Sequence, residues 1–342
     1  MARFDVTIAG ELNLDLILYG LPRELPTERE LLADGMNLTL GSSSAIVAHN
    51  LACLGRRVGF ISRIGDDSLG QIAMDRMSAV GVEVSKVKRM ADGSQTGLTV
   101  ILHHEGARNI LTYPGTIFEL SFEDLDFDYL ADSQHFHLSS FYLQRGLKGR
   151  IAEIFKRLKK AGLTISLDTN DDPEDAWGGE LSEALRYVDV FMPNEREVRK
   201  VAGTENLEAA IARVAEMVPL VVVKIGPQGA LAQRGHERTT AAPVKVTPVD
   251  AVGAGDSFDA GFLSQYVRGS DLQTCLATGN LGGALSTTRP GGTEAFRDRD
   301  IASSFCARMP PNKLPGVDLD QQVTFKLRRQ FGCFIACCLH GS

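Results

Sequence analysis

The run Val249-Asp250-Ala251-Val252-Gly253-Ala254-Gly255-Asp256-Ser257-Phe258 carries the clearest chemistry in this 342-residue chain. It falls between an expected strand over residues 244–249 and an expected helix that begins near Asp256. Small residues at such a junction let the backbone N–H groups of Gly253, Ala254 and Gly255 converge on an anion, with the positive end of the helix dipole behind them. A carboxylate in the first helical turn, Asp256, stands beside that anion hole. It can accept the proton of an attacking hydroxyl while the loop amides stabilise a phosphoryl group in transfer. On spacing alone Asp256 reads more readily as a helix-capping carboxylate, so context has to decide. The run is not a Walker loop, because no Gly-x4-Gly-Lys-Ser/Thr occurs, and Phe258 stands where a dinucleotide fingerprint needs its third glycine.

The elements that must hold this loop follow a βαβ rhythm. Short β-branched runs at 6–9, 58–61, 164–167, 188–192, 221–225 and 244–249 alternate with amphipathic stretches at 45–54, 70–80, 151–160, 207–217 and 257–267. One doubly wound, mostly parallel α/β sheet flanked by helices is the simplest architecture, with ligands expected at the carboxyl ends of its strands. Two segments, about 12–40 and 96–113, break the rhythm and read as a small β-sheet lid beside the main sheet. His135 and His137 alternate on an expected strand; packing into the core is the favoured reading over a pair of metal ligands.

Composition narrows the partners. Hydrophobic residues at 44% and charged residues at 23% are ordinary globular values. A net charge of −7 and the lack of a basic stripe argue against nucleic acid or an anionic membrane as a partner. The first residues carry acids inside their apolar stretch and read as a strand rather than a signal peptide. Six cysteines, at 53, 275, 306, 333, 337 and 338, show no disulfide or zinc spacing, so a reducing, cytoplasmic setting is expected. Residues 1–302 are read as one domain. The turn-rich and Cys-containing segment 303–342 is read as an atypical, poorly ordered extension, with a lipid-modified tail as the lesser alternative.

The run at 250–256, Asp-Ala-Val-Gly-Ala-Gly-Asp, resembles the second signature of the PfkB, ribokinase-like carbohydrate kinases, Asp-Thr-x-Gly-Ala-Gly-Asp. The resemblance recurs in order over about residues 4–302. Gly10-Glu11-Leu12-Asn13-Leu14-Asp15 is similar to the family's first strand, and 41–55 to its first signature, Gly-Gly-x-x-x-Asn-x-Ala. In the latter Ser42 replaces the second Gly and Ile46 replaces the Asn. The resemblance implies a ribokinase-like fold and ATP-dependent phosphorylation of a hydroxyl of a small sugar or sugar acid. It makes Asp256 the base and the Gly253, Ala254 and Gly255 amides the anion hole. It assigns substrate contacts to Asn13, Asp15, Gly41, Ser42, Ser43 and Asp250, with K+ beside Asp250. Asn194, Lys224, Gly226, Gly229 and Asn280 would border ATP, and Glu197 would hold Mg2+ through water. A homodimer through the lid is compatible with the pattern. A nucleoside kinase, or a non-catalytic sugar-binding regulator of the same fold, are the alternatives.

Overall fold

In the computed structural model, which describes residues 2–104 and 107–298, two sheets form. The strands are β1 (Phe4–Ala9), β2 (Leu14–Leu21), β3 (Gly35–Leu40), β4 (Val58–Gly65), β5 (Glu83–Met90), β6 (Leu98–His104), β7 (Ala107–Tyr113), β8 (Ser133–Leu138), β9 (Thr164–Leu167), β10 (Val190–Phe191), β11 (Leu220–Lys224), β12 (Ala230–Arg234) and β13 (Glu237–Ala241). The helices are α1 (Ser43–Cys53), α2 (Ser68–Ala79), α3 (Phe127–Ala131), α4 (Ile151–Lys160), α5 (Glu180–Leu185), α6 (Glu195–Ala202), α7 (Leu207–Ala215), α8 (Ala254–Tyr266), α9 (Leu272–Ser286) and α10 (Glu294–Arg297).

The main sheet has nine strands in the order β13-β12-β11-β10-β9-β8-β1-β4-β5. Its pairings from β5 to β11 are parallel, and β11, β12 and β13 close one edge as an antiparallel meander. Helices cover both faces, which is why the strands read as nearly continuous apolar runs. In β11, Val221 and Val223 enter one core with Phe155, Leu181 and Ile211. Leu220 and Val222 enter the other with Phe258, Phe262 and Leu51. The alternation is the period-2 geometry of a strand buried on both sides. The small sheet has the order β3-β2-β6-β7, with β2 and β6 parallel and the outer pairs antiparallel.

His135 and His137 belong to the packed interior. Both are fully buried, and they form a chain through the Thr164, Ser166 and Ser139 hydroxyls at 2.7–2.8 Å. Burial drives their imidazoles down to about 3 and about 4, so both are neutral. No group of three or more His, Cys, Asp or Glu is placed to hold a metal among the described residues.

The expected strand at 244–249 does not form: residues 242–250 run outside either sheet. Pro243 and Pro248 remove two ladder donors, and Val249 is 53% exposed. The extension at 303–342 lies outside the described residues.

Candidate active site

Gly253 is the N-cap of α8, with φ 71 and ψ 10. A Cβ there would stand 2.5 Å from the Gly292 Cα and 3.1 Å from the Ile46 Cδ1, so both backbone conformation and space demand glycine. Gly255 is different: its φ is not positive, and an added Cβ would make ordinary contact with the Lys224 Nζ at 3.6 Å. The Asn50 amide fastens the arrangement from α1, donating to the Ser257 Oγ and to the Gly292 carbonyl at 3.0 Å each. Ile46, which replaces a family Asn, is 2% exposed and packs under the Gly253–Gly292 contact.

Asp256 is the third residue of α8 and 7% exposed. Its Oδ1 accepts a hydrogen bond from the Asn170 Nδ2 at 3.3 Å. Burial, reinforced by the Asp168 charge, pushes its carboxyl up to about 6. A carboxylate poised there is still ionised near neutrality yet basic enough to take a hydroxyl proton.

Beneath the loop lies a buried charge cluster. The Lys224 Nζ, at the end of β11, donates to the Asp168 Oδ2 at 2.5 Å and to the Asp259 carboxylate at 3.2 and 3.3 Å. Burial opposes the Lys224 charge, but Asp168 and Asp259 outweigh it and hold the ammonium above its ordinary range. Burial likewise acts to raise Asp168, and Lys224 overcomes it, so Asp168 is the ionised partner. Burial raises Asp259 well above the usual carboxylate range. Asp259 was not singled out from the sequence, although a carboxylate one turn after Asp256 and directly before the apolar run Ala260-Gly261-Phe262-Leu263 was a usable signal.

On the other side, the chain leaving β1 carries Glu11, Asn13 and Asp15, all at most 6% exposed. A Cβ on Gly41 would overlap the Asp15 Oδ1 and stand 2.7 Å from the Asn13 Nδ2, so glycine lets α1 begin against these side chains. Ser42 caps α1 through its Oγ, which accepts from the Ala45 N–H at 3.1 Å and donates to the Glu11 carbonyl at 2.6 Å. The Ser43 hydroxyl faces Asp256 and favours its ionised form. Burial, then the Asp256 charge, lifts the Asp15 carboxyl to about 7. The Asp250 oxygens accept from the Val252 N–H at 3.0 Å, the Gly291 N–H at 3.2 Å and the Tyr19 hydroxyl at 3.4 Å. Glu11 and Gln144, which sequence reading passed over, are joined at 2.5 Å behind Ser44.

The model of the pfkB family carbohydrate kinases matches residues 3–299. This chain belongs to the pfkB family of carbohydrate kinases. An uncharacterized sugar kinase of Archaeoglobus fulgidus is 29% identical over 72% of this chain and 97% of its own length. The 2-dehydro-3-deoxygluconokinase of Bacillus subtilis is 28% identical over 78% of this chain and 86% of its own. Among solved structures, an E. coli protein provisionally described as ribokinase II, in complex with ATP and Mg2+, superposes with a TM-score of 0.77 at 27% identity. The match covers 89% of this chain and 99% of that one.

The remaining expected residues lie at the start of α6 after β10, in the turn after β11, and within α9. Asn194 and Glu197 form a reciprocal capping box at the start of α6, with the Asn194 N–H to Glu197 Oε2 at 2.8 Å and the Glu197 N–H to Asn194 Oδ1 at 2.9 Å. Burial, then the Asp168 charge, raises Glu197 to about 7. Gly226 and Gly229 have φ 51 and 93 and turn the chain between β11 and β12. The Asn280 Nδ2 donates to the Ala241 and Ala242 carbonyls at 3.0 Å each and ties α9 to the chain after β13. Asp256, Ser43 and Asn170 come together, as do Asn13, Asp15 and Gly41. Asn280 is engaged apart from them.

Proposed function

We propose that the chain transfers the terminal phosphoryl group of ATP to a hydroxyl of a small sugar or sugar acid, with Asp256 as general base. The observation that carries this reading is the placement of one buried carboxylate, raised to about 6, in the first turn of α8 directly after the left-handed Gly253. The sugar lies against Asn13, Asp15, Gly41, Ser42, Ser43 and Asp250. Asp256 takes the proton of the attacking hydroxyl. The Gly253, Ala254 and Gly255 amides and the α8 dipole favour the negative charge of the transferred group. The small sheet covers the site and excludes water. ATP runs past Lys224, Gly226 and Gly229 toward Asn280 and Asn194.

Asp168 and Asp259 hydrogen-bond the Lys224 ammonium, which leaves the buried Glu197 carboxylate at the start of α6 as the oxygen donor suited to a hard cation. Glu197 would hold Mg2+ through water, and the metal, when bound, supplies charge neutralisation at the phosphates. K+ beside Asp250 would order the loop that Asp250 already braces through Val252 and Gly291.

The assembly we favour is a homodimer through the small sheet. Every residue of β7 is exposed, with Ile110, Leu111 and Tyr113 each more than half accessible, and an open apolar edge strand is a pairing surface. No helix among the described residues is long and apolar enough to cross a membrane.

The test is ADP release by purified protein with Mg-ATP and KCl across pentoses, hexoses, keto-deoxy sugar acids and nucleosides. A sugar-dependent signal is expected. A nucleoside-only signal would replace the sugar reading, and sugar binding without turnover would indicate a non-catalytic binding protein.

A further inference from the structure

Asn170 follows β9 in the left-handed region, φ 51, and Ser140 follows the neighbouring β8 with φ 54. Asn tolerates that conformation better than most residues, and two such positions facing each other call for a local reason. The hydrogen bonds supply it. The Ser140 backbone N–H donates to the Asn170 Oδ1 at 2.8 Å. A backbone N–H is only a donor, so the amide orientation is fixed and the Nδ2 must face the other way. There it meets the Asp256 Oδ1 at 3.3 Å. The Asn170 backbone is itself anchored: its N–H donates to the Asp168 Oδ1 at 3.2 Å, and the other Asp168 oxygen is held by Lys224 at 2.5 Å. A rigid path therefore runs from the buried ion pair, through Asn170, to the carboxylate.

We infer that Asn170 is a positioning residue for Asp256: its amide, locked by Ser140 and Asp168, holds Oδ1 and leaves the second carboxylate oxygen to meet the substrate hydroxyl. This rests on the reading of Asp256 as base. Other groups face Asp256 as well: Asp15 from the small sheet, Asp168 after β9, Lys224 from β11, Asp259 on its own helix and the Ser43 hydroxyl from α1. Most of them are carboxylates that discourage its ionisation. Asn170 is a neutral donor that favours the charged form and also fixes its direction.

Two variants separate side chain from backbone. Asn170→Gly retains access to the left-handed conformation and deletes the amide. Asn170→Asp keeps an acceptor for the Ser140 N–H and replaces the donor with a second carboxylate. The first readout uses ligand-free protein: the carboxyl 13C titration of Asp256, identified as the signal missing from Asp256→Asn. Its midpoint should move up by roughly one pH unit in Asn170→Gly and further in Asn170→Asp. The second is kinetic: the acid limb of kcat/KM should move up in parallel, and kcat near neutrality should fall roughly tenfold with KM for ATP little changed. An unmoved titration in both variants would overturn the inference, as would a shifted titration with unchanged kcat. If Asp256→Asn remained active, the base reading would fall instead, while the titration would still report whether Asn170 controls this carboxylate. Should Asn170→Gly not fold, Asn170→Asp alone decides.

Discussion

The two sheets face the same cleft with opposite construction. On the main-sheet side, Asp256, Lys224, Asp168 and Asp259 are embedded between helices and tied by hydrogen bonds to partners 35 to 86 residues away along the chain. On the small-sheet side, Leu14, Ile17, Leu40 and Ile101 are buried, but β7 is exposed along its whole length. In the function we propose, the proton transfer sits on the more buried side, and the small sheet, which would have to admit substrate, is the more exposed one. The difference between the two sides can be broken at specific residues.

The largest effect is expected beneath the anion loop. Lys224→Met would leave Asp168 charged and unpaired at 1% exposure, and breaking such a buried pair costs about 3–5 kcal/mol, read as a fall in unfolding free energy by denaturant titration. If stability hardly changed, the cluster would not be the rigid support described. Next, Gly253→Ala meets both a positive φ and the Gly292 backbone, so kcat should fall by about 10²–10³, the scale of losing one anion-hole donor. Gly255→Ala, whose new methyl makes only ordinary contact, should lose far less. Equal losses would show that the two glycines are not distinguished by geometry.

Acidity offers a milder probe of where the sides meet. Asp15 and Asp256 have folded-state values of about 7 and about 6, above the ordinary carboxylate value of 3.8. A raised value means that the folded state binds the proton more tightly. Their favourable contribution is therefore complete below the ordinary value and lost as pH rises through 6 to 7. Asp15→Asn should accordingly raise the Tm of ligand-free protein more at about pH 8 than at about pH 5. The reverse order would refute the mutual strain of these carboxylates. The smallest effect on the folded chain belongs to the exposed strand: Leu111→Glu should change stability within about 0.5 kcal/mol. The same variant should convert a dimer to monomer in sedimentation if the small sheet forms the pairing surface.

What the sequence displayed was local. A glycine pair before a helix, the serine that caps α1 and the strands at β1, β4, β9 and β11 are set by neighbours a few residues away, and these were legible. The strand expected at 244–249 did not form because Pro248 within the run and Pro243 just before it, which cannot donate to a ladder, outweighed its β-branched composition. The partners of Lys224 and Asn280 were hidden for another reason. Lys224 hydrogen-bonds Asp168 and Asp259, 56 and 35 residues away along the chain. The Asn280 amide donates to carbonyls 39 and 38 residues before it. Asn170 gave no signal beyond following a strand, because its work depends on a backbone conformation that propensity does not encode.

The central claim rests on Asp256, and the most direct measurement is single-turnover phosphoryl transfer by Asp256→Asn beside the parent, with ATP affinity measured on both. The account predicts a transfer rate lower by roughly 10²–10⁴ at unchanged ATP affinity and fold; near-parental transfer would contradict it.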